Sequence, residues 1–106
     1  MTALTANSLS ALADPTRQRI VEMLASGALS SGEIAGRFKL SSPAISQHLK
    51  TLKTAKLVTV RVDAQRRIYA LNPEGVAEIA DWVDRIRAFW NPRLDALEAA
   101  LKKDSK

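Results

Sequence analysis

The chain has 106 residues, a net charge of +5 and no cysteine. That length makes one domain with a thin core, and without thiols there is neither a disulfide frame, a thiolate metal site nor thiol sensing. No apolar run approaches the roughly 20 residues that span a bilayer, and "MTALTANSLSALADPTRQ" lacks the basic start and long apolar stretch of a signal peptide, so a cytoplasmic protein with no membrane partner is expected.

Residues 4–13 are mildly helical, with Leu4, Leu9 and Leu12 among alanines. "ADPTRQRIVEMLASG" starts a second helix. Asp14 suits the N-cap, and Pro15 takes the first helical position, where its missing N–H costs nothing. Ile20, Val21 and Leu24 form its buried stripe, and Gly27 ends it. In "LSSGEIAGRFKL", Ser31 caps a short third helix that turns Ile34, Ala35 and Phe38 inward. Gly36 weakens that helix by about 1 kcal/mol relative to Ala, which suggests that another backbone comes close there.

"LSSPAISQHLKTLKTAKLV" holds the fourth helix, 42–55. Ser41 or Ser42 caps it and Pro43 lies in its first turn. Ile45, Leu49 and Leu52 fall on one face. The opposite face carries Ser46, Gln47, His48, Lys50, Thr51 and Lys53, with no acid. Lys53 and Lys56 suit the negative end of the helix dipole. Residues 37–67 hold eight Lys/Arg against Asp63 alone, a segment of +7 that leaves −2 for the rest. Charge gathered in this way suits a polyanion.

After Leu57 the period changes to two. "LVTVRV" alternates Val58, Val60 and Val62 with Thr59 and Arg61; "RRIYAL" alternates Ile68 and Ala70 with Tyr69 and Leu71. Two such runs around "DAQR" predict a β-hairpin over 58–71. Its turn has no glycine, which leaves the turn type open. Asn72 and Pro73 then open a long helix, 74–102. Ile79, Val83, Ile86, Trp90, Leu94, Leu97 and Leu101 are spaced 4, 3, 4, 4, 3, 4 along it, close to a heptad seam. Asn91-Pro92 predicts a kink or break. Asp81 with Arg85, and Asp84 with Arg87, are placed to pair along this helix. The seam is too apolar and too long for so small a chain to cover, and Trp82, Phe89 and Trp90 are anchors of the kind that dominate interfaces.

The strings "LADPTRQRIVEML", "SSGEIAGRFKLSSPAISQHLKTLKTAKLV" and "RRIYALNP" together resemble the ArsR-type winged helix-turn-helix transcriptional repressors, from Leu9 to Pro73. The closing "AFWNPRLDALEAAL" looks like the C-terminus of one subgroup, whose members are often associated with SRPBCC-type ligand-binding proteins. The resemblance implies one mainly α domain over 1–106, in the order α-α-α-α-β-β-α, with 74–102 as a dimerisation helix. It also implies a homodimer that represses by binding a pseudo-palindromic stretch of double-stranded DNA.

A recognition helix lies in the major groove and reads base edges from its N-terminal part. Ser42, Ser46, Gln47 and His48 are therefore the expected readers, and Pro43 and Ala44 are placed to touch a thymine methyl. Ser42 can read and cap at once. Lys50, Thr51 and Lys53 would hold phosphates. In the wing, Arg66 and then Arg67 suit the minor groove, and Arg61 a flanking phosphate; charge at a strand edge that discourages pairing would explain the same arginines. Tyr69 is expected to pack under the wing. The dimer is assigned to Leu4, Leu9, Ile79, Trp82, Val83, Ile86, Phe89, Trp90, Leu94, Leu97 and Leu101.

Many members of this family sense metals through Cys pairs on the third helix or carboxylate and His ligands on the last. Here the third helix reads "SSGEIAGRF", the last has no His, and Glu74, Glu78, Asp81 and Asp84 alone make no strong soft-metal site. The expectation is no metal and no cofactor. A Gly-rich phosphate loop, a Cys nucleophile and a second His are all missing, so an enzyme is not expected. Two other readings stay open: a repressor answering an unknown small molecule bound near the long helix, and a winged-helix module that contacts only proteins.

Overall fold

The computed structural model describes residues 3–104, and the side chains of residues 5–103. In chain order the elements are α1 (Ala3–Ala11), α2 (Pro15–Ala25), β1 (Leu29–Ser30), α3 (Ser31–Ala35), α4 (Ser42–Thr54), β2 (Val58–Asp63), β3 (Arg66–Leu71) and α5 (Pro73–Asp104). The three strands form one antiparallel sheet in the order β1-β3-β2.

The helix starts follow local chemistry. Asp14 accepts the Arg17 N–H at 3.0 Å and Pro15 begins α2. Ser41 caps α4 through the Ala44 N–H, which leaves Ser42 inside the first turn. The cap of α3 is Ser30, one residue before the expected Ser31. Ser30 and Glu33 satisfy each other's N–H groups in a capping box, which Ser31 has no partner to build. Asn72 opens α5 by accepting from the Glu74 N–H at 3.3 Å.

The core is made of the expected stripes. Ile20 and Leu24 of α2, Ile34 of α3, and Ile45, Leu49 and Leu52 of α4 are buried together with Leu57, Val58 and Tyr69. From α1, however, Thr5, Ser8 and Ala11 face inward, while Leu9 is half-buried. Small residues let α1 come close enough for the Ser8 hydroxyl to bond the Ala55 carbonyl at the end of α4. The side chain of Leu4 lies outside the described residues.

Three further expectations are corrected. β1 is a third strand, with Leu29 paired to Tyr69 and Ser30 to Ile68; two residues carry no period that a sequence could reveal. Val62, which the alternation groups with Val58 and Val60, is 73% exposed, because the wing runs out past the core. The close backbone approach lies at Gly75 rather than Gly36. A Cβ on Gly75 would be built into the Lys56 carbonyl, whereas one on Gly36 meets only the carbonyls of Gly32 and Glu33, at 3.4 and 3.7 Å.

α5 runs through Pro92 without a break. Proline removes the N–H that would reach Ala88 O, but every residue from 84 to 103 is exposed, so water can satisfy that carbonyl. The Arg93 guanidinium donates to the adjacent carbonyl, Phe89 O, at 3.0 Å. Ile79 packs on the core, and Trp82 and Val83 are half-buried. Beyond them Ile86, Phe89, Trp90, Leu94, Leu97 and Leu101 are exposed. The expected pairs Asp81–Arg85 and Asp84–Arg87 do not form; among the described residues the ion pair along α5 is Glu98–Lys102 at 3.5 Å. The projecting helix gives a radius of gyration of 18.4 Å, against about 13 Å for a compact domain of this size.

Candidate nucleic-acid interface

α3 and α4 are the two helices of a helix-turn-helix, and the β2–β3 hairpin is its wing. Burying Ile45, Leu49 and Leu52 turns the other side of α4 outward. Ser42, Pro43, Ser46, Gln47, Lys50 and Lys53 are all exposed there, and Ala44 is half-buried. Thr51 is less available than the sequence suggests, because its hydroxyl bonds back to the Gln47 carbonyl at 3.1 Å. Between α4 and the wing lies a cleft of about 640 Å³ whose walls include Ser46, Gln47, Lys50, Lys53 and Arg67 and contain no carboxylate.

The wing turns tightly at Ala64-Gln65, with Asp63 opposite Arg66 in the ladder and Ala64 at φ 57°. Its two arginines differ from expectation. Arg66, placed first by the sequence as the groove contact, donates to Glu33 Oε1 at 3.0 Å and so leans on α3. Arg67 lines the cleft facing α4, and Arg61 is exposed on β2.

His48 also lies elsewhere than a base reader should. Its ring turns back toward the start of α2, where Nδ1 is 3.2 Å from Arg17 Nη1 and 3.8 Å from Asp14 Oδ2. Sequence reasoning missed this cluster and the Glu33–Arg66 pair. The residues in contact are 31 and 33 positions apart, and no local pattern links them.

Two carboxylates have lowered pKa values. The Arg17 backbone N–H lowers Asp14, followed by the charges of His48 and Arg17. The Ser30 backbone N–H lowers Glu33, followed by the Ser30 hydroxyl and the charges of Arg66 and Arg37. A carboxyl whose folded pKa lies below its unfolded one stabilises the fold above the unfolded value, and loses that contribution as pH falls through the folded value. Stability should therefore drop as the pH falls below about 4, the ordinary carboxylate range. Urea midpoints measured from pH 6 to 3 should fall less steeply in Asp14→Asn/Glu33→Gln than in the wild type; parallel curves would show that these caps are not the groups titrating.

Among the described residues no three His, Cys, Asp or Glu side chains gather as metal ligands, and no helix is long and apolar enough to cross a membrane.

Residues 14–60 match the family model described as "Bacterial regulatory protein, arsR family". The chain is 51% identical over 84 residues to the "HTH-type transcriptional regulator Rv2034" of Mycobacterium tuberculosis, covering 79% of this chain and 76% of that protein. The chain belongs to the ArsR family. It is also 35% identical to the "Transcriptional repressor SdpR" of Bacillus subtilis, covering 73% of this chain and 86% of that protein. A solved structure titled "Possible transcriptional regulator for arsenical resistance" superposes with a TM-score of 0.72 at 42% identity, covering 88% of this chain and 94% of that one. This ArsR-family chain is a DNA-binding transcriptional regulator and not an enzyme.

Proposed function

We propose that this regulator acts as a homodimeric repressor in the cytoplasm. Two copies join through α5 and α1 and bind a pseudo-palindromic operator. Each α4 enters the major groove, and each wing lies beside it over the phosphates. Two-fold symmetry sets the half-sites about one helical turn, or a multiple of it, apart. The observation that carries this reading is the exposed, acid-free ridge of Ser42, Ser46, Gln47, Lys50 and Lys53, with Arg67 facing it across the cleft. Repression rather than activation is taken from the name of the relative SdpR. Gln47 reads bases, since a Gln side chain pairs bidentately with adenine, while Lys50, Lys53, Arg61 and Arg67 hold the backbone. Arg66 sets the wing's angle through Glu33; that pair is exposed on both sides and weak, so a phosphate can displace it.

Fluorescence anisotropy on fragments of the gene's upstream region, against a random duplex and at several salt concentrations, tests this. Specific affinity should fall steeply with salt. Gln47→Ala should lose about 1–3 kcal/mol of discrimination at one base position. Arg67→Ala should weaken all duplexes alike and lower the salt slope by about one per protomer. If no duplex binds even at low salt, the basic face is idle and the proposal fails.

A further inference from the structure

Both long sides of α4 open onto a cleft without carboxylates. One faces the wing. The other, about 360 Å³, lies between α4 and the N-terminal helices, and its walls include Asn7, Ser10, Arg17, Gln47, Lys50 and Thr54. Gln47 and Lys50 line both clefts and form the ridge between them. A helix lying in the major groove has a sugar-phosphate strand on each side, and the wing serves one of them.

Arg17 is built to serve the other. Its Nε donates to the Ala11 carbonyl, and its Nη1 donates to His48 Nδ1 at 3.2 Å. A guanidinium only donates, so Nδ1 is the accepting side of this contact. Two of five donors are used, and those two anchors fix the planar fork. Ala11 is buried, which ties the fork to the core. The nearest acid, Asp14, caps α2 and is not among the residues lining the cleft.

We propose that this second cleft is a phosphodiester clamp for DNA. Arg17 and Lys50 supply charge, and Asn7 and Ser10 supply neutral donors, to the strand on the side of α4 away from the wing. His48 is a positioning residue: it holds Arg17 in register with the recognition helix and reads no base. The proposal rests on the DNA-binding reading above.

The test uses the full chain, a duplex selected by it from a random library, and a scrambled duplex, in a salt series. Ser10→Glu sets a carboxylate against the incoming phosphate at an exposed position, so its thermal midpoint should match the wild type. Ser10→Glu and Arg17→Gln should each weaken both duplexes by the same factor, and Arg17→Gln should lower the salt slope by about one per protomer. His48→Ala should lower affinity with base preference unchanged. Wild-type slopes and affinities in Ser10→Glu and Arg17→Gln, beside steep salt dependence in the wild type, would overturn the clamp and leave the DNA reading standing. An altered base preference in His48→Ala would overturn the positioning role. A wild type that binds without salt dependence would overturn the DNA reading and the clamp with it.

Discussion

Replacing Leu94 and Leu97 together with glutamate should turn the regulator into an 11.6 kDa monomer and lower its operator affinity by about 10² or more, the advantage that two linked binding events give over one. The two leucines are 56% and 57% exposed, on a stretch of α5, residues 84–103, that is exposed throughout. They continue a stripe with Ile86, Trp90 and Leu101. Around Arg93 it carries a tight aromatic group: Phe89 and Trp90 meet edge-to-face at 5.4 Å, with the guanidinium 3.9 Å from the Phe89 ring centre. Apolar surface of this extent marks an interaction site. Two carboxylates on each copy would have to be desolvated or face each other across the seam. Because both positions lie at the protomer surface, the substitutions should change the stability of the single chain by no more than about 0.5 kcal/mol each. Light scattering should give twice the protomer mass for the wild type and the protomer mass for the variant, with unchanged helix content by circular dichroism. A monomeric wild type at micromolar concentration would sink the homodimer.

Gly75→Ala should destabilise the protein by about 1–3 kcal/mol or more, the range for forcing atoms into a filled core. The added methyl would be built into the Lys56 carbonyl, with the carbonyl carbon at 2.9 Å and Leu57 Cα at 3.4 Å. That backbone has little freedom to yield. Lys56 is already in the left-handed region at φ 62°. Its carbonyl accepts from Asn72 Nδ2 at 2.9 Å, and the Asn72 N–H donates to Leu57 O at 2.9 Å. The end of α4, the start of the wing and the start of α5 meet at this point, so the change strikes the junction that sets α5 against α4. Gly36→Ala is the control: its methyl meets no closer atom than Gly32 O at 3.4 Å, and it should be neutral or stabilising by up to about 1 kcal/mol. Urea unfolding followed by fluorescence of the two tryptophans separates the two outcomes. Equal midpoints for both variants would mean that the Lys56 carbonyl can move aside.

The stripes Ile20–Leu24 and Ile45–Leu49–Leu52, the cap at Asp14, the start of α4 at Ser41 or Ser42 and the hairpin at 58–71 were all legible, because each depends on neighbours within one or two turns. The same period that buries Leu49 exposes Gln47 and Lys50, so the ridge proposed to read DNA was legible as well. The seam of α5 was readable as a seam. Its passage through Pro92 without a break was not, since that depends on whether the freed Ala88 carbonyl reaches solvent.

By itself, then, the sequence determined to within a residue where α2, α3 and α4 start, which faces they bury and where positive charge collects, because capping, period and charge act over a few residues. Only the tertiary structure decided what the individual polar side chains do. Gly75 rather than Gly36 lies against another backbone. Arg66 is engaged by Glu33, leaving Arg67 to face the cleft. His48 turns away from the ridge to hold Arg17. In each case the partner is distant along the chain, and a charged or polar group takes whichever partner the packed core brings within hydrogen-bond reach.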